Sequence, residues 1–142
     1  MKQNKFGRTI AFCLCLAMIA ALLLTGCVEE IKPSEPAKQE SGTLGEGSTV
    51  FNISVIGSDG AQENFEIHTD KETVGEALLE VGLIDGEQGE YGLYVKTVNG
   101  ETLDYNEDGK YWAFYIDDTY ASTGVDATTI DSTQTYTLKA ES

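Results

Sequence analysis

Every residue between Ile10 and Leu24 is apolar, and this run limits which part of the chain is available to fold. A membrane-spanning helix needs about 20 such residues; the run has 15. Lys2, Lys5 and Arg8 precede it, and the small residues Thr25 and Gly26 follow it before Cys27, the three-part layout of a secretory signal. Residues 1–26 are therefore expected to leave on export. No later stretch of the sequence is comparably apolar, so the expected membrane contact is N-terminal only.

Leu24-Thr25-Gly26-Cys27 resembles the lipobox of bacterial lipoproteins. That resemblance implies cleavage before Cys27 and a diacylglyceride on its thiol, with the chain held by the lipid bilayer on the extracytoplasmic face of the bacterial cell membrane. Two or more acyl chains anchor stably where one binds marginally, each buried methylene adding about 0.8 kcal/mol. Cys13 and Cys15 lie in the signal, so the mature chain keeps Cys27 alone and has neither a disulfide framework nor a free thiol nucleophile. Loss of the three basic residues takes the net charge from −15 to −18. Nucleic acid and anionic headgroups are disfavoured as partners by this excess, which reads as a solubility device.

Residues 27–48, rich in Glu, Lys, Pro, Ser and Gly and holding both prolines, Pro33 and Pro36, have the composition of a disordered tether. Residues 49–142 suffice for one compact domain. Thr49–Gly57 alternates Phe51, Ile53 and Val55 with polar residues, Gln62–His68 does the same with Phe65 and Ile67, and Ser58-Asp59-Gly60 between them predicts a hairpin. Val74, Ala77, Leu78 and Val81 recur at helical spacing behind Thr69-Asp70-Lys71-Glu72, and Gly82 falls where a left-handed cap belongs. A Gly- and Asp-rich loop, a strand over Gly92–Val98, the turn Asn99-Gly100, and strands over Tyr111–Ile116 and Thr133–Ala140 complete the pattern. The order β-β-α-β-β-β predicts a small α+β fold, a β-grasp-like mixed sheet with one helix on one face.

Equipment for catalysis is sparse: one histidine, His68, on the polar side of an expected strand, and no nucleophile elbow or phosphate loop. An enzyme is not expected. Asp104, Asn106 and Asp108, followed by Gly109, match the first half of a calcium loop, but its twelfth position is Tyr115, which lacks the bidentate carboxylate. The same residues serve ordinary Asx turns. Within Tyr111-Trp112-Ala113-Phe114-Tyr115 the two-residue period places Trp112 and Phe114 on one face and Tyr111 and Tyr115 on the other. One face is core; the other, with Tyr91, Tyr94, Tyr105 and Tyr120 nearby, offers an aromatic surface for a planar or amphipathic ligand.

Tyr94–Gly100, Lys110–Asp118 and Ala121–Asp126, above all "VNG" followed by "YWAFYIDD" and a Gly-containing loop, resemble the DUF4430 family, bacterial domains similar to the C-terminal domain of transcobalamin and intrinsic factor. The resemblance covers about residues 50–140 and implies capture of cobalamin, a related corrinoid or another vitamin-sized ligand for a membrane transporter. Tyr111, Trp112 and Tyr115 would supply stacking surface, and Ser122, Thr123 and Gly124 backbone hydrogen bonds. A module that instead recognises another envelope protein, through a sheet edge or the aromatic face, is the alternative.

Overall fold

The computed structural model describes residues 38–142; the signal segment, Cys27 and the first part of the expected tether lie outside the described residues. A six-stranded mixed sheet has the order β1-β3-β2-β9-β7-β8, and a three-stranded sheet has the order β4-β5-β6. The strands are β1 (Gly42–Gly45), β2 (Thr49–Ile56), β3 (Gln62–Thr69), β4 (Ile84–Gly89), β5 (Gly92–Val98), β6 (Glu101–Thr102), β7 (Tyr111–Ile116), β8 (Thr119–Tyr120) and β9 (Thr135–Glu141). Helix α1 (Val74–Glu80), the single turn α2 (Tyr105–Asp108) and a 3₁₀ turn at Val125–Ala127 accompany them. This is the expected small α+β fold with one main helix, divided between two sheets.

Local chemistry explains the elements that were expected. The β2–β3 hairpin pairs Ile53 with Phe65 and Phe51 with Ile67, so every apolar residue of the alternation faces inward, each at most 3% exposed with Val55. Thr73 caps α1: its hydroxyl accepts the Glu76 N–H while the Glu76 carboxylate accepts the Thr73 N–H, a capping box that satisfies two end donors. Gly82 ends the helix at φ +70°, and Asn99 and Gly100 carry positive φ at the β5–β6 turn, as a tight hairpin requires.

Two elements correct the sequence-based reading. The expected tether over 27–48 contains β1, which runs parallel to β3 from Gly42 opposite Phe65 to Gly45 opposite His68. Upstream, the Gln39 N–H donates to Asn99 Oδ1 at 2.7 Å and Asn99 Nδ2 donates back to the Gln39 carbonyl at 3.0 Å. The folded body thus includes residues before Thr49. Its glycines permit the close approach: a Cβ on Gly47 would lie 2.1 Å from the Thr69 carbonyl carbon. The Gly- and Asp-rich loop holds β4, which pairs antiparallel with β5 from Ile84↔Val98 to Gly89↔Gly92. Neighbouring strands supply the hydrogen-bonding edge in both cases, overriding weak local propensity.

At the core's centre, Tyr136 of β9 is fully buried. Its ring meets Phe51 edge-on, centroids 5.5 Å apart, and stacks on Phe114 at 6.0 Å, while its hydroxyl accepts the Asp131 N–H at 2.9 Å. Tyr136→Phe keeps the packing and loses that bond, a cost of about 1 kcal/mol. Tyr136→Ala opens a cavity costing about 3–5 kcal/mol. Urea unfolding followed by circular dichroism checks both values.

Candidate functional site

A cleft of about 330 Å³ opens between the two sheets, lined by Leu93–Val95 of β5, by Tyr111, Trp112 and Phe114 of β7, and by Tyr120–Val125. The volume suits a small ligand. Among these wall residues none carries a charged side chain, although the chain's net charge is −15.

The walls are held by specific contacts. Strand β5 has one residue more than β4 in its ladder, since Asp85 pairs with Thr97 and Gly86 with Val95. Lys96 is thus the bulged residue, and such bulges re-aim backbone groups. Its carbonyl accepts both the Leu103 N–H, at 2.9 Å, and the Trp112 indole N–H, at 3.1 Å. The indole is thereby fixed, 8% exposed like Phe114. The floor of the loop is Val125, 2% exposed. Thr128 Oγ1 donates to the Gly124 carbonyl at 2.8 Å and lies 3.1 Å from Thr123 Oγ1. The Asp126 carboxylate accepts the Leu93 N–H at 3.0 Å, joining β5 to the 3₁₀ turn. Ser122, Thr123 and Gly124 themselves are exposed.

Backbone groups complete the site. Strand β8 pairs only with Tyr115 and Ile116 of β7, and the Phe114 carbonyl accepts the Ala121 N–H at 2.9 Å. By the two-residue period of strand hydrogen bonding, the Trp112 N–H and C=O project to the same side, where no strand pairs with them among the described residues. An amide-bearing ligand would find both a donor and an acceptor there.

Of the residues expected at one site, Tyr111, Trp112, Ser122, Thr123 and Gly124 come together in this cleft. Tyr115 does not. Like Tyr111 it projects from the face of β7 opposite Trp112, since residues of odd and even number on one strand point apart; its hydroxyl lies 2.6 Å from Glu141 Oε1 and its ring is edge-on to Tyr120 at 5.5 Å, and of the two tyrosines only Tyr111 reaches the cleft. The inward aromatic face is that of Trp112 and Phe114. Tyr94 and Tyr120, expected near an aromatic surface, also line the cleft, whereas Leu93, Val95 and the supporting Asp126 were not foreseen; Gly92, whose Cβ would lie 2.7 Å from the Asp126 carboxylate, marks the close approach that brings them in.

The calcium expectation meets a different arrangement. Asp104 Oδ1 accepts the Asn106 N–H at 2.9 Å as the cap of α2, Asp108 Oδ2 accepts the Asp104 N–H at 3.1 Å, and Gly109 closes the turn at φ +66°. These carboxylates serve backbone donors, and among the described residues no cluster of three or more His, Cys, Asp or Glu is placed to hold a metal. His68 stands on the polar face of β3, 2.7 Å from the Glu66 carboxylate.

Residues 71–142 match DUF4430, a domain of unknown function, and the chain belongs to that family. Among solved structures, a "putative metal binding protein" from Ruminococcus gnavus ATCC 29149 is 31% identical with a TM-score of 0.62, the match covering 66% of this chain and 97% of that one. Haptocorrin, crystallised in complex with Cbi, matches at 11% identity and a TM-score of 0.52 over 66% of this chain. The matched part is 25% of haptocorrin, and the likeness is one of fold. It bears out the resemblance to the transcobalamin-type C-terminal domain. No curated protein matches the chain.

The Tyr115 phenol is pushed up to about 12, first by the hydrogen bond it donates to Glu141 and then by burial. Glu141 is held below the ordinary carboxylate value, chiefly by that same bond. The tyrosine's share of stability is whole below about pH 10, its ordinary value, and is lost as pH rises through about 12. Glu141's share is present above 4.5 and is lost as pH falls through its lowered value. Glu141→Gln should bring the Tyr115 ionisation back toward 10, read by ultraviolet absorbance titration of tyrosinate.

Proposed function

We propose that this chain is an exported, lipid-anchored binding protein that captures a corrinoid or another vitamin-sized ligand in the cleft between β5, β7 and Ala121–Val125, for delivery to a membrane transporter. The observation that carries this reading is the gathering of Tyr111, Trp112 and Ser122–Gly124 around one uncharged cleft beside the unpaired Trp112 peptide groups. An uncharged lining inside a strongly acidic chain suits a neutral, polarisable ligand that stacks and accepts amide hydrogen bonds. The fold shared with haptocorrin, whose structure holds Cbi, supports the ligand class. The secretory layout before Cys27 supports the anchor. Binding without covalent chemistry is the role: the sole histidine sits on β3 beside Glu66, not among the cleft residues.

Titration with cobalamin and cobinamide, following Trp112 fluorescence and checked by calorimetry, tests this. The polypeptide used should begin no later than Glu35, so that Gln39 and β1 are retained. Saturable one-to-one binding is expected, weakened about tenfold or more by Tyr111→Ala through lost stacking and unchanged by Tyr115→Ala. Absence of heat and of corrected quenching would reduce the haptocorrin likeness to fold alone. The open edge of β7 at Trp112 would then favour the second reading, addition of an extended segment of another envelope protein to the sheet.

A further inference from the structure

We propose that the face of the six-stranded sheet on which no other element packs among the described residues is a second binding site, for a neutral oligosaccharide that lies across the strands and stacks on Tyr115. The two-residue period that buries Phe51, Ile53, Tyr136 and Leu138 turns the alternate residues of the same strands outward. Strand register then aligns those residues laterally. Asn64 pairs with Ser54, Ser54 with Thr137, Thr137 with Tyr115 and Tyr115 with Tyr120. Five strands thus carry one continuous row, about 19 Å long at ordinary strand spacing, that begins in an amide, passes through two hydroxyls and ends in two aromatic rings.

The middle of this row, Ser54, Thr137 and Tyr115, lines a groove of about 430 Å³ whose walls also include Gln62, Asp118 and Lys139. Its polar end is organised: Ser54 Oγ donates to Asn64 Oδ1 at 2.8 Å, and Gln62 Nε2 reaches the same oxygen at 3.0 Å. Its aromatic end is also held, because Tyr115 is tied at its hydroxyl to Glu141 and braced edge-on by Tyr120.

Charge and chemistry select the occupant. Lys139 is already paired with Glu141 at 3.2 Å, and Asp118 is the other charged residue of the groove, so there is no surplus positive charge to hold an anion. Apolar surface is limited to Tyr115 and Ile56, too little for the dry centre of a protein interface. A pyranose presents what the groove complements: C–H groups for the negative face of an aromatic ring and hydroxyls that both donate and accept towards Ser, Thr, Gln and Asp side chains. Of this row only Tyr120 also lines the cleft; Asn64, Ser54, Thr137 and Tyr115 are not among the cleft's wall residues.

The test is affinity electrophoresis of the full chain in native gels containing mixed-linkage β-glucan, arabinoxylan, galactomannan or pullulan, with calorimetry on a hexasaccharide of any polymer that retards it. Retardation by at least one polymer is expected, lost about tenfold or more in Tyr115→Ala and kept in Tyr115→Phe, which retains the ring. Thr137→Val and Gln62→Ala, conservative on an open face, should each weaken it several-fold and serve as the reporters if Tyr115→Ala unfolds. Lack of retardation by all four polymers overturns the proposal, as does retardation unaffected by the folded variants. Corrinoid titration of the same variants separates this site from the cleft.

Discussion

The parallel pairing of β9 with β2 is the constraint on which the rest of the structure depends. It sets Tyr136 against Ile53 and Leu138 against Val55, while the other edge of β9 pairs antiparallel with β7. The hairpin of β2 and β3 and the hairpin of β7 and β8 have no direct pairing with each other. β9 makes them one sheet. Tyr136 sits at that junction, edge-on to Phe51 from one side and stacked on Phe114 from the other. Once Tyr136 and Leu138 face inward, Thr137 and Lys139 must face out, so a single pairing sets both the buried layer and the polar face opposite it. Because the contact joins segments distant in sequence, its loop-closure entropy is met late in folding.

Much of this was legible in the sequence where one physical signal dominated. The alternations at Thr49–Ile56, Gln62–Thr69, Gly92–Val98 and Tyr111–Ile116 became strands because each carried apolar residues at period two, and α1 formed where a capping box met a helical stripe. β1 and β4 were illegible for an equally physical reason. Gly-Thr-Leu-Gly and Ile-Asp-Gly-Glu-Gln-Gly each contain one large apolar residue, too few to show a period. Their extended state comes from the edges of β3 and β5, which no local reading contains. The acidic segment at Asp104 illustrates a third case: the same side-chain oxygens suit a cation or a helix cap, and here they meet backbone N–H groups.

The site was half legible. Spacing alone places Trp112 on one face and Tyr111 and Tyr115 on the other, and it does not show that Tyr111 reaches the cleft while Tyr115 does not. Which face turns inward depends on a partner elsewhere in the chain, since both faces are aromatic. The Lys96 carbonyl, displaced by a bulge, takes the indole N–H, while the tyrosine hydroxyls reach Glu141 on the outer side. An indole buried without that acceptor would bear the cost of an unmade hydrogen bond; a phenol at the surface need not. The bulge therefore decides the orientation of β7, and with it which aromatic residues line the cleft.

Electrostatics then distinguishes the surfaces that the fold produces. The ion pairs Lys38–Glu63, Lys96–Glu87 and Lys139–Glu141 lie at the surface, where such pairs contribute little to stability. The remaining acids give the chain a net negative field that disfavours polyanions. Against that background the cleft wall, with no charged side chain, is a local exception. Its occupant would lose little by leaving water if it too is neutral, whereas an anion would meet the field of the whole chain. Tyr111 belongs to this wall and also approaches Glu141 across the strand, at 3.5 Å. It is the one aromatic residue of β7 that touches both the cleft and the carboxylate network of the opposite face.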